Sequence, residues 1–218
     1  MDSGGLSAVV AKRVNDTHGG RFAAPRPTEG LGASFDRLPW LGLPLGERQE
    51  RALLGAGLKL VDWESEGDVS KGWVLIREDA AVTAEAVQLI LEEGRNRSTD
   101  ISWRSSGRMG GLTEEICLGT DEPLLVYLAP GQPVSLQRIQ EAAWVELDPK
   151  ERVVPFDVPR AQFGVDILEI PLADRLVLPA GHWNQLLWSN LLALGPFLWR
   201  ELAGRHLHQV IWRLLWAV

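Results

Sequence analysis

Asp79 closes the stretch "GWVLIRED" and stands just ahead of "AAVTAEAVQLILEEG". The first stretch reads as a buried strand and the second leads into a helix. In open α/β sheets, ligands bind beyond the carboxyl ends of the strands. A carboxylate there can hold Mg²⁺, which neutralises phosphate oxygens. The same residue type also suits a turn, for its loop geometry alone. The second candidate is "SSGRMGGL", Ser105 to Leu112. Backbone N–H groups in a glycine-rich turn can cradle phosphate, and Arg108 adds positive charge. The glycine order fits neither common phosphate-loop pattern, so a hairpin or wide connection is the competing reading. His182 is the third candidate. Neither a carboxylate nor a second histidine lies at a metal-ligand spacing from it. His206 and His208 are two residues apart and would point to different faces of a helix. No Ser/His/Asp order carries a nucleophile elbow. The single cysteine, Cys117, forms neither an internal disulfide nor a thiolate metal site by itself, and "EEICLG" reads as a buried strand.

The elements that must position these residues can be read along the chain. Residues 1–38 are rich in Gly, Pro, Ala and Arg and show neither helical nor strand periodicity, so they are expected to be disordered or loosely held. Glu47 to Ala56 is a helix of strong formers, stopped by Gly57. "LKLVDW" is a short strand. "GWVLIRED" is an apolar run of the kind buried on both faces. "TAEAVQLILEEG" is a helix, with Thr83 as N-cap, Glu85 near its positive start and Gly94 at its end. "STDISWR", "EEICLG", "LLVYLAP", "WVELDP", "RVVPFDVP" and "VDILEIPL" read as strands. Pro155, Pro159 and Pro171 push the last of these toward sheet edges or loops. The order predicts an α/β domain over 39–180, with a mixed, mostly parallel sheet and flanking helices, and a helical tail over 181–218.

Composition narrows the class. The chain has 218 residues, 45% of them hydrophobic and 23% charged, which is ordinary for a globular protein. A net charge of −7 argues against a nucleic-acid partner. From Arg200 onward three arginines face one glutamate, a local surplus of positive charge. The N-terminus has no apolar stretch of secretory length, so the expected location is the cytoplasm, with the tail allowing a peripheral place at a membrane.

Three stretches carry a resemblance. "LGLPLGERQERALLGAGLKLVD" resembles the early part of a sugar nucleotidyltransferase domain, the group that joins a nucleoside triphosphate to a sugar 1-phosphate. There a P-L-[IL] element opens a helix that closes with A-G-[IL] and leads into a strand; here these are Pro44, Leu45, Ala56, Gly57 and Leu58. "GWVLIREDAAVTAEAVQLIL" resembles the strand that ends in that family's metal-binding aspartate, with Asp79 at the matching position. "IPLADRLVLPAGHWNQLLWSNLLALGPFLWREL" resembles a junction in large bacterial proteins of this type, where a left-handed β-helix follows. The resemblance implies that fold, Mg²⁺ held by Asp79 if the domain is active, and a nucleotide or sugar phosphate as ligand. The family's glycine-rich triphosphate loop, with its Arg and Lys, has no counterpart upstream of Pro44. The expectation is therefore a degenerate, non-catalytic domain with a binding or assembly role. The alternative is an active enzyme that forms a nucleotide sugar.

The tail poses a separate question. Three of the ten tryptophans lie in Gly181 to Arg200, and Trp212 and Trp216 follow. "HWNQLLWSNLLAL" is expected to form one helix, "PFLWREL" to start another at Pro196, and "LHQVIWRLLWAV" to form a third. Trp183, Leu187, Leu191 and Leu194 fall on one face of the first. Trp199, Trp212, Leu215 and Trp216 are the expected contacts with a membrane surface, a second copy or another partner, unless the tail folds back onto the core. The 24 residues between Arg175 and Arg200 carry no formal charge, but their prolines and polar residues speak against a transmembrane span.

Overall fold

A computed structural model describes residues 17–22, 34, 37–61, 69–116, 122–157, 160–163 and 166–203. Its central sheet has six strands: β1 (Thr17–Phe22), β4 (Lys59–Leu60), β5 (Gly72–Arg77), β7 (Ile101–Ser105), β8 (Leu125–Leu128) and β9 (Ala143–Leu147). They lie in the order β4-β1-β5-β8-β7-β9. Only β8 runs against its neighbours; the other pairs are parallel. The fold is thus α/β with a mixed, mostly parallel sheet, as the order of elements implied.

Helices α1 (Leu45–Gly55) and α2 (Ala84–Arg97) cover one face of this sheet. Val74 and Ile76 of β5 meet Leu53, Val87 and Ile90 there. Trp73 and Leu75 point the other way, into a cluster with Phe22, Val126 and Ile139 of the short helix α4 (Leu136–Glu141). All six residues of β5 are buried, which is why its sequence is apolar without alternation. A third cluster lies beside the sheet. It joins Trp40 of the small β2–β3 pair (Pro39–Trp40 and Leu43–Pro44), Leu45, Ala81 of β6 (Ala80–Val82), Leu178 of β12 (Val177–Pro179) and Leu192. A two-stranded ribbon, β10 (Glu151–Asp157) with β11 (Ile167–Ala173), stands apart from the main sheet, with α5 (Arg160–Phe163) between its strands. Pro155 and Pro171 sit in this ribbon, where a missing N–H is tolerated.

Four expectations are corrected. Thr17–Phe22, placed in the loosely held N-terminal stretch, is a buried strand paired with both β4 and β5. Its residues lack an apolar pattern because its neighbours supply the core. Gly19 lies so close to α1 that a Cβ would sit 3.1 Å from Leu53 Cδ2. Apart from Ser34, Arg37 and Leu38, the rest of 1–38 lies outside the described residues. "SSGRMGGL" is not a hairpin. It opens α3 (Gly107–Ile116), which also takes up the start of the expected "EEICLG" strand, while Cys117 lies outside the described residues. Glycine content hid this helix, and Gly110 is required because a Cβ there would meet the Ser105 carbonyl at 2.3 Å. Gly94 does not end α2, which runs on to Arg97 and stops at Ser98 in the left-handed conformation. The Tyr127 ring lies against Gly94, and a Cβ would fall 2.1 Å from it. Finally, Pro196 does not divide the tail. α6 runs unbroken from Trp183 to Ala203. No helix among the described residues is long and apolar enough to cross a membrane.

Two outcomes test this packing. Helix propensity alone makes Gly94→Ala stabilising by about 1 kcal/mol. The contact with Tyr127 reverses the sign, and a loss of about 1–3 kcal/mol is expected in denaturant unfolding. Burial also pushes the Tyr127 phenol above its ordinary value of 10.0, against the pull of Arg95. The folded chain therefore keeps this proton to higher pH than the unfolded chain. The stability linked to it is intact below the unfolded value and is lost as pH rises through the folded one. Between about pH 9 and 11 the unfolding midpoint is expected to fall more steeply in the wild type than in Tyr127→Phe.

Candidate functional site at the strand-order reversal

Strand order reverses at β1. The chain leaves β1 through α1 to form β4 on one side, then returns to lay β5 on the other. The carboxyl ends of two such strands flank the crevice where open α/β sheets bind ligands. Glu78 N–H donates to the Phe22 carbonyl at 3.0 Å and so ties the two strand ends together. Asp79 lies at this crest, in the tight turn between β5 and β6.

The turn is held from three directions. From below, fully buried Gln49 of α1 points its amide at the carbonyls of Arg77, Glu78 and Ala80, at 2.9, 3.1 and 2.8 Å. From the side, the Arg77 guanidinium grips Asp79 with two bonds, Nε to Oδ1 at 2.5 Å and Nη2 to Oδ2 at 3.1 Å. Both residues are buried, and Arg77 Nη1 also reaches Glu122 Oε2 at 3.2 Å. From above, Ala180 N–H donates to the Asp79 carbonyl at 2.7 Å. Gly181 then passes so close that a Cβ would lie 2.8 Å from Asp79 Oδ2.

This arrangement limits what Asp79 can do. Both of its carboxylate oxygens already accept from the Arg77 guanidinium, so a Mg²⁺ would share the carboxylate with that cation. Among the described residues no group of three or more His, Cys, Asp or Glu side chains is placed to hold a metal ion. As arranged, the donor set does not fit a Mg²⁺ site.

Arg108 lies on the same edge, just past β7 in the first turn of α3. β8 intervenes between β5 and β7, so the two strands are roughly 10 Å apart. Arg108 is exposed. The helix start beside it already has an anion: Glu151 Oε2 accepts from Met109 N–H at 2.8 Å. The position a phosphate would take is filled by the chain's own carboxylate. His182 works locally, its Nδ1 accepting from Asn184 N–H at 3.3 Å at the start of α6. The Trp199 side chain and all of Trp212, Leu215 and Trp216 lie outside the described residues.

Arg77, Gln49, Glu122, Glu151 and Gly181 escaped the sequence reading. Arg77 and Glu122 are 45 residues apart, and Gln49 and Ala80 are 31 apart, so no local spacing joins them. The one local signal was "RED" itself, an arginine two residues before the aspartate. No family model and no curated protein matches this chain.

The ion pair yields a stability prediction. Asp79→Ala leaves a buried guanidinium without its main partner, and a loss of about 3–5 kcal/mol is expected. Replacing both partners, Arg77→Met with Asp79→Leu, should cost clearly less, because no buried charge is stranded. Denaturant midpoints of the two variants decide the order. Gln49→Leu removes the donor to two buried carbonyls and one partly buried one and is expected to cost about 2–4 kcal/mol by the same measurement.

Proposed function

We propose that this chain carries a degenerate sugar-nucleotidyltransferase-like domain that binds or assembles rather than catalyses. The observation that carries the reading is the state of Asp79. It occupies the position matching the family's metal-binding aspartate, yet its carboxylate is committed to Arg77. A built-in cation at that point replaces the mobile divalent ion that phosphate chemistry needs. The local order of elements supports the resemblance. Pro44 caps α1, Ala56 and Gly57 close it, and a short strand follows. β5 then leads to Asp79, and α2 comes after it. The ligand class that goes with this reading is a nucleotide or sugar phosphate at the carboxyl ends of β1 and β5. Exposed Glu78 and half-exposed Glu122 are acidic neighbours there, which disfavours a bare triphosphate.

A pyrophosphate-release assay tests the catalytic half. With Mg²⁺, a panel of nucleoside triphosphates and hexose 1-phosphates, no turnover above blank is expected. Turnover that Asp79→Asn abolishes would instead establish an active nucleotidyltransferase. Calorimetric titration with the same compounds and with nucleotide sugars separates the remaining roles. Heat of binding without turnover indicates a ligand-binding domain, and its absence across the panel leaves assembly.

A further inference from the structure

A cavity of about 240 Å³ lies where α1, β6 and α6 meet the β2–β3 pair, and it does not depend on how the sheet crest is read. Its walls are mostly apolar: Ala52, Val82, Leu176 and Ala193 are all buried. Arg48 and Arg51 also line it, and no carboxylate among the described residues does. Arg48, Arg51 and Ala52 stand at offsets 0, 3 and 4 and so share one face of α1. Concave, apolar sites with a few polar groups are where small molecules bind. An apolar cavity of about 150 Å³ already takes a benzene ring, so this one has room for a body of about ten non-hydrogen atoms.

Trp40 shows which polar atom that body needs. It lines the cavity and is only 2% exposed. Its indole Nε1–H is enclosed and has no acceptor among the described residues. An indole nitrogen only donates, so what meets it must be an acceptor. The backbone there is fixed by Arg48, whose Nε donates to the Trp40 carbonyl at 3.3 Å and whose Nη2 donates to that of Leu41. That guanidinium therefore stands beside Trp40.

Charge selects among acceptors. Arg51 Nη2 donates to Glu47 Oε1 at 2.6 Å, but both side chains are exposed. Exposed pairs at this helix spacing hold weakly, which leaves Arg51 able to turn to another anion. Two arginines against one glutamate leave a single net positive charge, which matches a monoanion. A phosphate is close to doubly charged at neutral pH and needs several donors, which these apolar walls do not supply.

We propose that this cavity binds a small monocarboxylate with an apolar body, of the aryl-acetate or medium-chain fatty-acid kind. The carboxylate meets the Trp40 N–H and the charge of Arg48 and Arg51. The body lies against Ala52, Val82, Leu176 and Ala193.

Indole ¹H–¹⁵N spectra of the full chain test this, with phenylacetate and octanoate as probes. Trp40→Phe identifies the Trp40 signal by its loss. That signal should shift saturably with either acid, with half-saturation at or below about 1 mM. Phenylacetamide keeps the shape and an acceptor but lacks the charge, and should bind at least about tenfold more weakly. Arg51→Gln, an exposed substitution, should weaken phenylacetate about fivefold. Half-buried Ala84 lines the same cavity, and Ala84→Leu should abolish the shifts while circular dichroism shows the domain folded. Calorimetric titration of the unsubstituted chain measures the same affinity and stands if a variant fails to fold. No heat and no movement of any indole signal up to about 20 mM of either acid would overturn the proposal. Shifts confined to signals that persist in Trp40→Phe would place the acids elsewhere and overturn it as well. Equal binding of acid and amide, unchanged by Arg51→Gln, would overturn the choice of a carboxylate.

Discussion

Everything at the carboxyl edge of the sheet depends on how the turn Arg77–Ala80 is held. A tight turn between two buried strands exposes several carbonyls to the interior, and each costs stability if left unpaired. Gln49 answers three of them at once from α1. This fixes α1 against the turn, and α1 in turn packs on β1, where Gly19 lies tight against Leu53 and Leu58. The turn then aims Asp79 at Arg77, and the pair lies under the chain entering α6. Helix, sheet and tail therefore share one polar anchor.

That anchor shapes what chemistry the edge can support. Anion and cation positions at strand ends are usually completed by ligands. Here the chain supplies both. The Arg77 guanidinium donates to both Asp79 carboxylate oxygens, and Glu151 accepts from the Met109 N–H at the start of α3.

A comparable logic runs through α6. Its inner side is committed to the third core cluster and to Asn190, so its outer apolar side cannot rotate inward.

Much of the frame was legible in the sequence. Continuous apolarity marked β5 because both of its faces are covered, and helix formers bounded by Gly57 marked α1. Their alternation marked a mixed α/β sheet. These signals are local, since each element's periodicity reflects its own burial. What escaped was set by partners distant in sequence. "THGGRF" carries no apolar pattern, and pairing with β4 and β5 makes it a strand. The glycines at 94 and 110 read as breaks, yet they are close approaches to Tyr127 and to the Ser105 carbonyl. The identity of Asp79 as a candidate was visible from its place after a strand. Its commitment to Arg77, beneath Gly181 and above Gln49, was decided only by tertiary structure, because those groups meet through packing and through no spacing along the chain.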